Sequence, residues 1–422
     1  MTVFDEMESE VRSYCRSFPT VFTQASGAVL RDEEDNEYID FFSGAGALNY
    51  GHNEPRLRER LVEYIAGDGI IHSLDMSTKA KKEFLTAFNE IILRPRGMRY
   101  KIMFPGPTGT NSVESALKLA RKVTGRDLIL SFTNAFHGMT LGSLAVSGNM
   151  FKREGAGVTL GNSVSMPFEN FMGNEVDTIE YLERYIDDDG SGVATPAAII
   201  LETLQAEGGI NVASVEWLKN LEGICRRRGV LLIVDDIQVG CGRTGPFFSF
   251  EGAGIEPDIV CLSKSLSGYG LPMAITLIRP DLDLWDPGEH NGTFRGHNPA
   301  FVTAAETLRL YWKDDALTRE VESKGRIVHG FLESLVADYP ELQAEVRGKG
   351  MMQGIACGDE DVARRICAAA FSAGLLMETA GPNGNVVKLM PPLTIGEATL
   401  KRGLSILERS VRAQRLKKEV PA

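Results

Sequence analysis

The sequence predicts an α/β fold: a large domain on a mainly parallel sheet, plus a smaller α+β domain assembled from the N- and C-terminal segments. Three observations carry this. Between residues 100 and 280, short continuous runs of Val, Ile and Leu alternate with amphipathic stretches; residues 1–55 hold hairpin-like material; and beyond about residue 300 the pattern turns to long helical periodicity. A strand covered by helices on both faces needs apolar side chains at every position, whereas a half-exposed strand alternates, so continuous runs point to a parallel sheet.

The elements follow in order. The segment AVLRDEEDNEYIDFF reads as two strands turning at Glu34-Asp35-Asn36. The apolar runs are KIMF at 101–104, LILSF at 128–132, AAIIL at 197–201, VLLIV at 230–234, DIVCL at 258–262 and AITLI at 274–278. In 112–123, Val113, Ala116, Leu117 and Ala120 keep helical spacing, Glu114 and Lys118 support the outer face, and Gly125 stands where a C-cap belongs. The helix predicted over 215–228 ends in Arg226-Arg227-Arg228-Gly229, with cations at the negative end of its dipole. Helical periodicity then runs through 299–338, followed by a strand-like stretch at 350–356, helices at 359–373 and 396–415, and a frayed tail, RLKKEVPA. The expected division is an arm and part of the small domain in 1–55, the large domain in 56–305, and the rest of the small domain in 306–422.

Composition removes several classes of function. The chain has 422 residues, 43% hydrophobic and 24% charged, with only 44 glycines and 18 prolines, which excludes wholesale disorder. Its formal net charge of −12 repels phosphate backbones and anionic lipid, so nucleic acid and membrane are not expected partners. Cys15, Cys225, Cys241, Cys261, Cys357 and Cys367 form no CxxC pair and no zinc-ligand spacing; reduced thiols and no metal are expected. The acidic start MTVFDEMESEVRSY lacks a signal peptide's basic and apolar regions, and no apolar run reaches a membrane span. A cytoplasmic location follows, and without export the sequon Asn291-Gly292-Thr293 has no chemical meaning.

In an open parallel sheet, ligands bind beyond the carboxyl ends of the strands. The residues directly after the apolar runs are Gly106-Pro107-Thr108-Gly109-Thr110-Asn111, Phe136-His137-Gly138, Glu202, Asp235-Asp236 and Ser263-Lys264-Ser265. A helix opened by small residues offers free N–H groups to a phosphate, although Asn111 with Glu114 also reads as a simple capping box. It is not a P-loop, and Gly44-Ala45-Gly46 is not a dinucleotide fingerprint, because Asn49 takes the third glycine's place. Asp235 must find a partner in its apolar setting, either a protonated heterocyclic nitrogen or the next turn's N–H groups. Lys264, flanked by serines at the end of a hydrophobic strand, is poorly placed for a solvated charge; desolvation favours its free amine, the condition for a Schiff base. Phosphate cup, aromatic plate at Phe136, carboxylate and amine together describe what pyridoxal phosphate needs.

Motifs along nearly the whole chain resemble those of the class III pyridoxal-phosphate aminotransferases: SGAGALNYGH at 43–52, TGTNSVESALKLAR at 108–121, FHG at 136–138, ETLQAEGG at 202–209, VDDIQVGCGRTG at 234–245, LSKSLSGYGLP at 262–272, TFRGHNP at 293–299, VRGKG at 346–350 and KLMPPLTI at 388–395. The resemblance implies a fold-type I transferase with pyridoxal 5'-phosphate. Lys264 would hold the cofactor aldehyde, and Asp235 would keep the ring nitrogen protonated. Ile237 and Phe136 would cover its two faces, and Gln238 would reach its phenolic oxygen. Gly109 and Thr110 would bind phosphate, joined by Thr293 from a neighbouring subunit of a homodimer or higher homo-oligomer. Glu207 matches the family's switchable carboxylate and Glu202 its companion. SGAGALNYGH with FPGPTGTNSVESALKLARK is most similar to the branch that passes the amino group of L-glutamate to L-aspartate 4-semialdehyde, yielding L-2,4-diaminobutanoate and 2-oxoglutarate, and SEVRSYCRSFPTVF to its ectoine-pathway members.

Three departures stand out. Asn111 replaces a frequent Glu. Met139 and Lys388 replace two arginines that hold substrate carboxylates in several relatives, and lysine cannot reproduce the bidentate fork. Carboxylate recognition must therefore differ here, with Lys388 and Arg295 as candidates. Competing readings are an ω-aminotransferase for ornithine-like or 4-aminobutyrate-like donors and, from another class, a non-catalytic ligand-binding protein on the same scaffold. Loss of Lys264 or Asp235 would mark the latter, and both are present.

Overall fold

The computed structural model describes residues 2–418. Its central sheet has seven strands, in the order Lys101–Met103, Ile275–Ile278, Ile259–Leu262, Leu231–Asp235, Ala198–Leu201, Ile129–Phe132 and Ser163–Met166. The six apolar runs all form strands, each within a residue of its expected limits. The five strands between the edges are buried along their whole length, as two-sided cover requires. One member differs in direction: Ile275–Ile278 is antiparallel to both neighbours. Parallel strands need a crossover, usually α-helical, and the chain from Leu262 to Ile275 holds only the short 3-10 turn Lys264–Ser267. The edge strand Ser163–Met166 escapes sequence reading because its short SVSM pattern is too polar to form an apolar run.

Helix Gly109–Thr124 packs Val113, Ala116, Leu117 and Ala120 into the core and ends on Gly125 at φ 67°, as its spacing predicted. Its cap is not the expected Asn111–Glu114 box. Asn111 Oδ1 reaches back to Thr108, accepting from its N–H (3.1 Å) and hydroxyl (2.8 Å), whereas Glu114 accepts from the Ser143 N–H at 3.0 Å. Helix Val215–Arg228 likewise stops at Gly229, φ 59°.

At the N-terminus, Val29–Asp32 and Glu37–Asp40 pair antiparallel around Asp35, φ 61°. Asp32 Oδ1 holds that turn by accepting from the N–H groups of Glu34 and Asn36. The strand Leu375–Leu376, more than 300 residues later in the chain, lies parallel to Glu37–Asp40. A second four-stranded antiparallel sheet joins Glu345–Lys349, Met352–Ala356, Val386–Leu389 and Glu378–Ala380. The helical periodicity through 299–338 forms two helices, Asn298–Tyr311 and Ala316–Asp338. The break carries no Gly or Pro; the Trp312 indole N–H donates to the Tyr50 hydroxyl (2.8 Å), and Asp314 accepts from the Ala316 N–H to start the next helix. The first of these helices runs through the expected boundary at 305/306 and packs on helix Lys79–Ala87. Glu360–Ser372 and Glu397–Lys418 complete the fold. The first half of the stretch expected to fray is thus helical; its remainder lies outside the described residues.

The C-terminal helix lies so close to the N-terminal strand that a methyl on Gly403 would stand 2.4 Å from the ring of Phe41, which is fully buried. Gly403→Ala should therefore destabilise: overpacking of about 1–3 kcal/mol outweighs the ~1 kcal/mol that alanine gains in a helix. A denaturant midpoint equal to or above wild type would contradict this contact.

Candidate active site

The carboxyl ends of the sheet strands converge on one group. Ser263, at φ −162° and ψ −143°, turns the chain out of strand Ile259–Leu262, and Lys264 follows in the left-handed region at φ 48°. That conformation costs a non-glycine residue about 1–2 kcal/mol, so it persists only where surroundings hold it. Ser263 Oγ donates to the Met273 carbonyl (2.8 Å) and Ser265 Oγ to the Gly46 carbonyl (2.7 Å), fixing both sides of the lysine. The Lys264 ammonium itself makes no hydrogen bond or ion pair among the described residues. Burial pushes its pKa down, against the pull of Glu207.

Asp235, at the end of strand Leu231–Asp235, is buried. Its Oδ2 lies 2.8 Å from His137 Nδ1, and its Oδ1 accepts from the Ile237 N–H at 3.2 Å. Burial alone would drive His137 neutral, but the Asp235 carboxylate against it raises the imidazole pKa above its usual value. His137 Nε2 is buried and unpartnered. Glu202, at the end of strand Ala198–Leu201, accepts from the Phe136 N–H (2.9 Å), and burial pushes its pKa up to about 8.

A second charged group lies alongside. Glu207 Oε1 accepts from Lys388 Nζ (2.6 Å) and from Gln238 Nε2 (2.9 Å). Lys388 is fully buried and also lies 2.8 Å from Glu378 Oε1, outside hydrogen-bonding alignment. Glu378 and Lys388 are direct cross-strand partners in the antiparallel small sheet, which places them together. Burial opposes the charge on all three. The two carboxylates nevertheless hold Lys388 charged, Lys388 and then Lys264 hold Glu207 below the usual carboxylate range, and Glu378 is pushed up.

The Ser43–Gly46 segment, which the sequence excludes as a dinucleotide fingerprint, closes over this group. Ser43, Gly44, Ala45 and Gly46 all have positive φ, between 49° and 87°. Asp40 holds them at one end, accepting from the N–H groups of Phe42 and Ser43, while Gln238 Nε2 donates to the Ala45 carbonyl at 2.9 Å. Gly109 and Thr110 open helix Gly109–Thr124. The Thr110 hydroxyl is within 2.9 Å of the Ser143 hydroxyl, and a Cβ on Gly109 would stand 3.0 Å from Ile237 Cδ1, so the surface there must stay bare. Phe136 is half-buried beside them.

Lys264, Asp235, Glu202, Glu207, Gln238 and Lys388 are linked by these bonds and fields, with Ile237, Phe136, Gly109 and Thr110 around them. Thr293 and Arg295 are not brought into the group. Thr293 is exposed, its carbonyl accepting from His72 Nε2 (2.7 Å), and Arg295 donates to the Phe104 carbonyl and to Asn291. Met139 is 54% exposed. Sequence reasoning passed over His137 and Glu378. The first stood in the FHG motif and was legible; the second depends on strand register between residues ten apart and had no local signal.

Residues 12–411 match the protein family described as Aminotransferase class-III. Among curated proteins, the chain is 62% identical to a diaminobutyrate–2-oxoglutarate transaminase of Halalkalibacterium halodurans, covering 98% of this chain and 96% of that one. It is 61% identical to the protein of the same name from Sporosarcina pasteurii, over 97% and 96%. Among solved structures, the ornithine aminotransferase of Toxoplasma gondii superposes with a TM-score of 0.84 at 25% identity, over 98% of this chain and 94% of that one.

Because burial raises Glu202 to about 8 from an ordinary value of 4.5, its native state holds a proton that the unfolded chain releases. The resulting stabilisation is complete below pH 4.5 and lost as pH rises through about 8. Glu202→Gln, which keeps the acceptor for the Phe136 N–H, should lose less stability than wild type between those pH values in urea unfolding. Parallel curves would sink this assignment.

Proposed function

The chain belongs to the class-III aminotransferases, which work with pyridoxal 5'-phosphate, and we propose that it transfers the amino group of L-glutamate to L-aspartate 4-semialdehyde, giving 2-oxoglutarate and L-2,4-diaminobutanoate, the first step of ectoine biosynthesis. The observation that carries the chemistry is Lys264: an amine at a strand end, its pKa pushed down by burial, with no hydrogen-bond or ion-pair partner among the described residues and carboxylates in its field. A lysine with no resident partner at the centre of a charged group fits an aldehyde that it binds covalently. The bare surface between Gly109 and Ile237 and the Asp235 carboxyl group fit a flat heterocyclic ring with a phosphate arm.

When bound, the cofactor supplies an electron-withdrawing ring that makes the substrate's Cα–H acidic. In this reading the chain's own residues do the rest. Asp235, oriented by His137, holds a proton on the ring nitrogen. Ile237 and Phe136 confine the ring, and Gln238 donates to its phenolic oxygen. Gly109 and Thr110 bind the phosphate. Lys264 Nζ, freed by the incoming amine, is the base that takes and returns the Cα proton. Lys388 offers a cation to substrate carboxylate, with Glu207 as its resident counter-charge and Glu202 as a buried acid nearby. Thr293, exposed, and Arg295, half-buried, both away from this group, are read as serving the site of a second copy in a homodimer; a monomer in sedimentation at assay concentration would overturn that part. Residues 1–55 and the chain beyond helix Asn298–Tyr311 are read as one small domain. Among the described residues no helix is long and apolar enough to cross a membrane, and the sequence arguments favour the cytoplasm for the reaction.

The test combines product and attachment site. Purified protein with glutamate and aspartate 4-semialdehyde should form a diamine with the new nitrogen on C4, identified by mass spectrometry; preference for ornithine or 4-aminobutyrate as donor would overturn the substrate assignment. Borohydride treatment should leave the cofactor on the peptide bearing Lys264. Lys264→Ala should lose that adduct, the near-visible absorbance and the half-reaction with glutamate, and retention of all three would refute the role of Lys264.

A further inference from the structure

A cavity of about 190 Å³ opens beside Glu207 and Phe136. Its wall is largely glycine, asparagine and small side chains, and its two charged lining residues are Glu207 and Lys152. Glu207 is already neutralised by Lys388 at 2.6 Å. Lys152 is not: among the described residues it has no carboxylate partner, and its ammonium lies 4.1 Å from the centroid of the Phe136 ring. An aromatic face attracts a cation and fixes its position, yet carries no net charge with which to cancel it. The short helix Met150–Glu154 that bears Lys152 is pinned by its cap and by the segment before it. Asn149 Oδ1 accepts from the Lys152 N–H at 3.1 Å, and Arg153 donates to the carbonyls of Leu144, Ala145 and Ser147. The ammonium is therefore held at the cavity wall, half-buried and electrically unspent, beside the group that contains Lys264.

We propose that Lys152 is a specificity-determining residue, the counter-charge for the remote carboxylate of a dicarboxylic amino-group donor or acceptor. The assignment rests on the reading of the site as that of a transaminase using glutamate and 2-oxoglutarate. It accounts for what Met139 leaves missing: an uncharged, exposed side chain cannot bind an anion, and Arg295 of the same chain is committed to Phe104 and Asn291. Lys388, fully buried against two carboxylates, is left to the carboxylate nearer the reacting carbon. A dicarboxylate then meets two separate point charges.

Binding separates this from activity. Glutarate, which has two carboxylates and no amine to transfer, is titrated calorimetrically into the holoenzyme, with propionate as the single-carboxylate control. Lys152→Met, which keeps a chain able to pack on Phe136, should weaken glutarate by roughly tenfold to a hundredfold, the value of a charge-assisted hydrogen bond, while propionate binding and the cofactor's visible spectrum stay unchanged. Lys152→Arg should retain most of the glutarate affinity. Glutarate binding unaffected in Lys152→Met would overturn the proposal, as would equal weakening of both ligands, which would move Lys152 to the nearer carboxylate. If wild type shows the expected pattern but makes no diaminobutanoate, the acceptor assignment fails and the role of Lys152 stands.

Discussion

Keeping one amine without a partner, in a place where every neighbouring charge has one, is the constraint on which the site is built. A buried cation is tolerated when carboxylates surround it, and Lys388 shows the ordinary solution, with Glu207 at 2.6 Å and Glu378 at 2.8 Å. Lys264 shows the other. It stands in the field of the same Glu207 and of Asp235, but those acids are occupied: Asp235 by His137 and the Ile237 N–H, Glu207 by Lys388 and Gln238. Both acids are engaged by their own partners, which leaves the amine free for chemistry. Its left-handed backbone, held by the two serines beside it, is a local cost that the surrounding hydrogen bonds sustain.

The same logic explains why two groups rather than one are needed. His137, Asp235 and Glu202 form a buried set at the ends of adjacent strands of the large sheet, where charge is governed by burial and close pairing. Glu207, from the turn between the short strands Leu204–Gln205 and Asn211–Val212, forms a set with Lys388 and Glu378 of the small sheet, and Gln238 ties it to the Ala45 carbonyl. Charges that belong to one rigid sheet can be fixed by strand register alone. A charge brought in from a turn, as Glu207 is, must be fixed by the groups it meets.

Much of this was legible in the sequence because the parallel sheet writes its strands as unbroken apolar runs and puts its chemistry immediately after them. Asp235, Glu202 and Lys264 are found by that rule alone, and the glycine caps at 125 and 229 mark where helices end. What was hidden has physical reasons. The reversed direction of Ile275–Ile278 depends on the missing crossover helix, not on composition. The break at Trp312 comes from a tertiary hydrogen bond to Tyr50 with no turn residue to announce it. The cap of helix Gly109–Thr124 shifted from Asn111–Glu114 to Thr108–Asn111 because Glu114 is claimed by the distant segment around Ser143. Glu378 enters the site only through cross-strand register.

The pairing of Leu375–Leu376 with Glu37–Asp40 has a bearing on how the protein is made. The loop that shelters the amine is anchored by the same early strand, so it cannot settle until nearly nine-tenths of the polypeptide has left the ribosome. Until then the first hairpin has an open edge, and the Phe41 ring lacks the late helix that covers it. The nascent enzyme should thus be most dependent on chaperones just before termination, and its catalytic pocket is among the last parts of the molecule to be born.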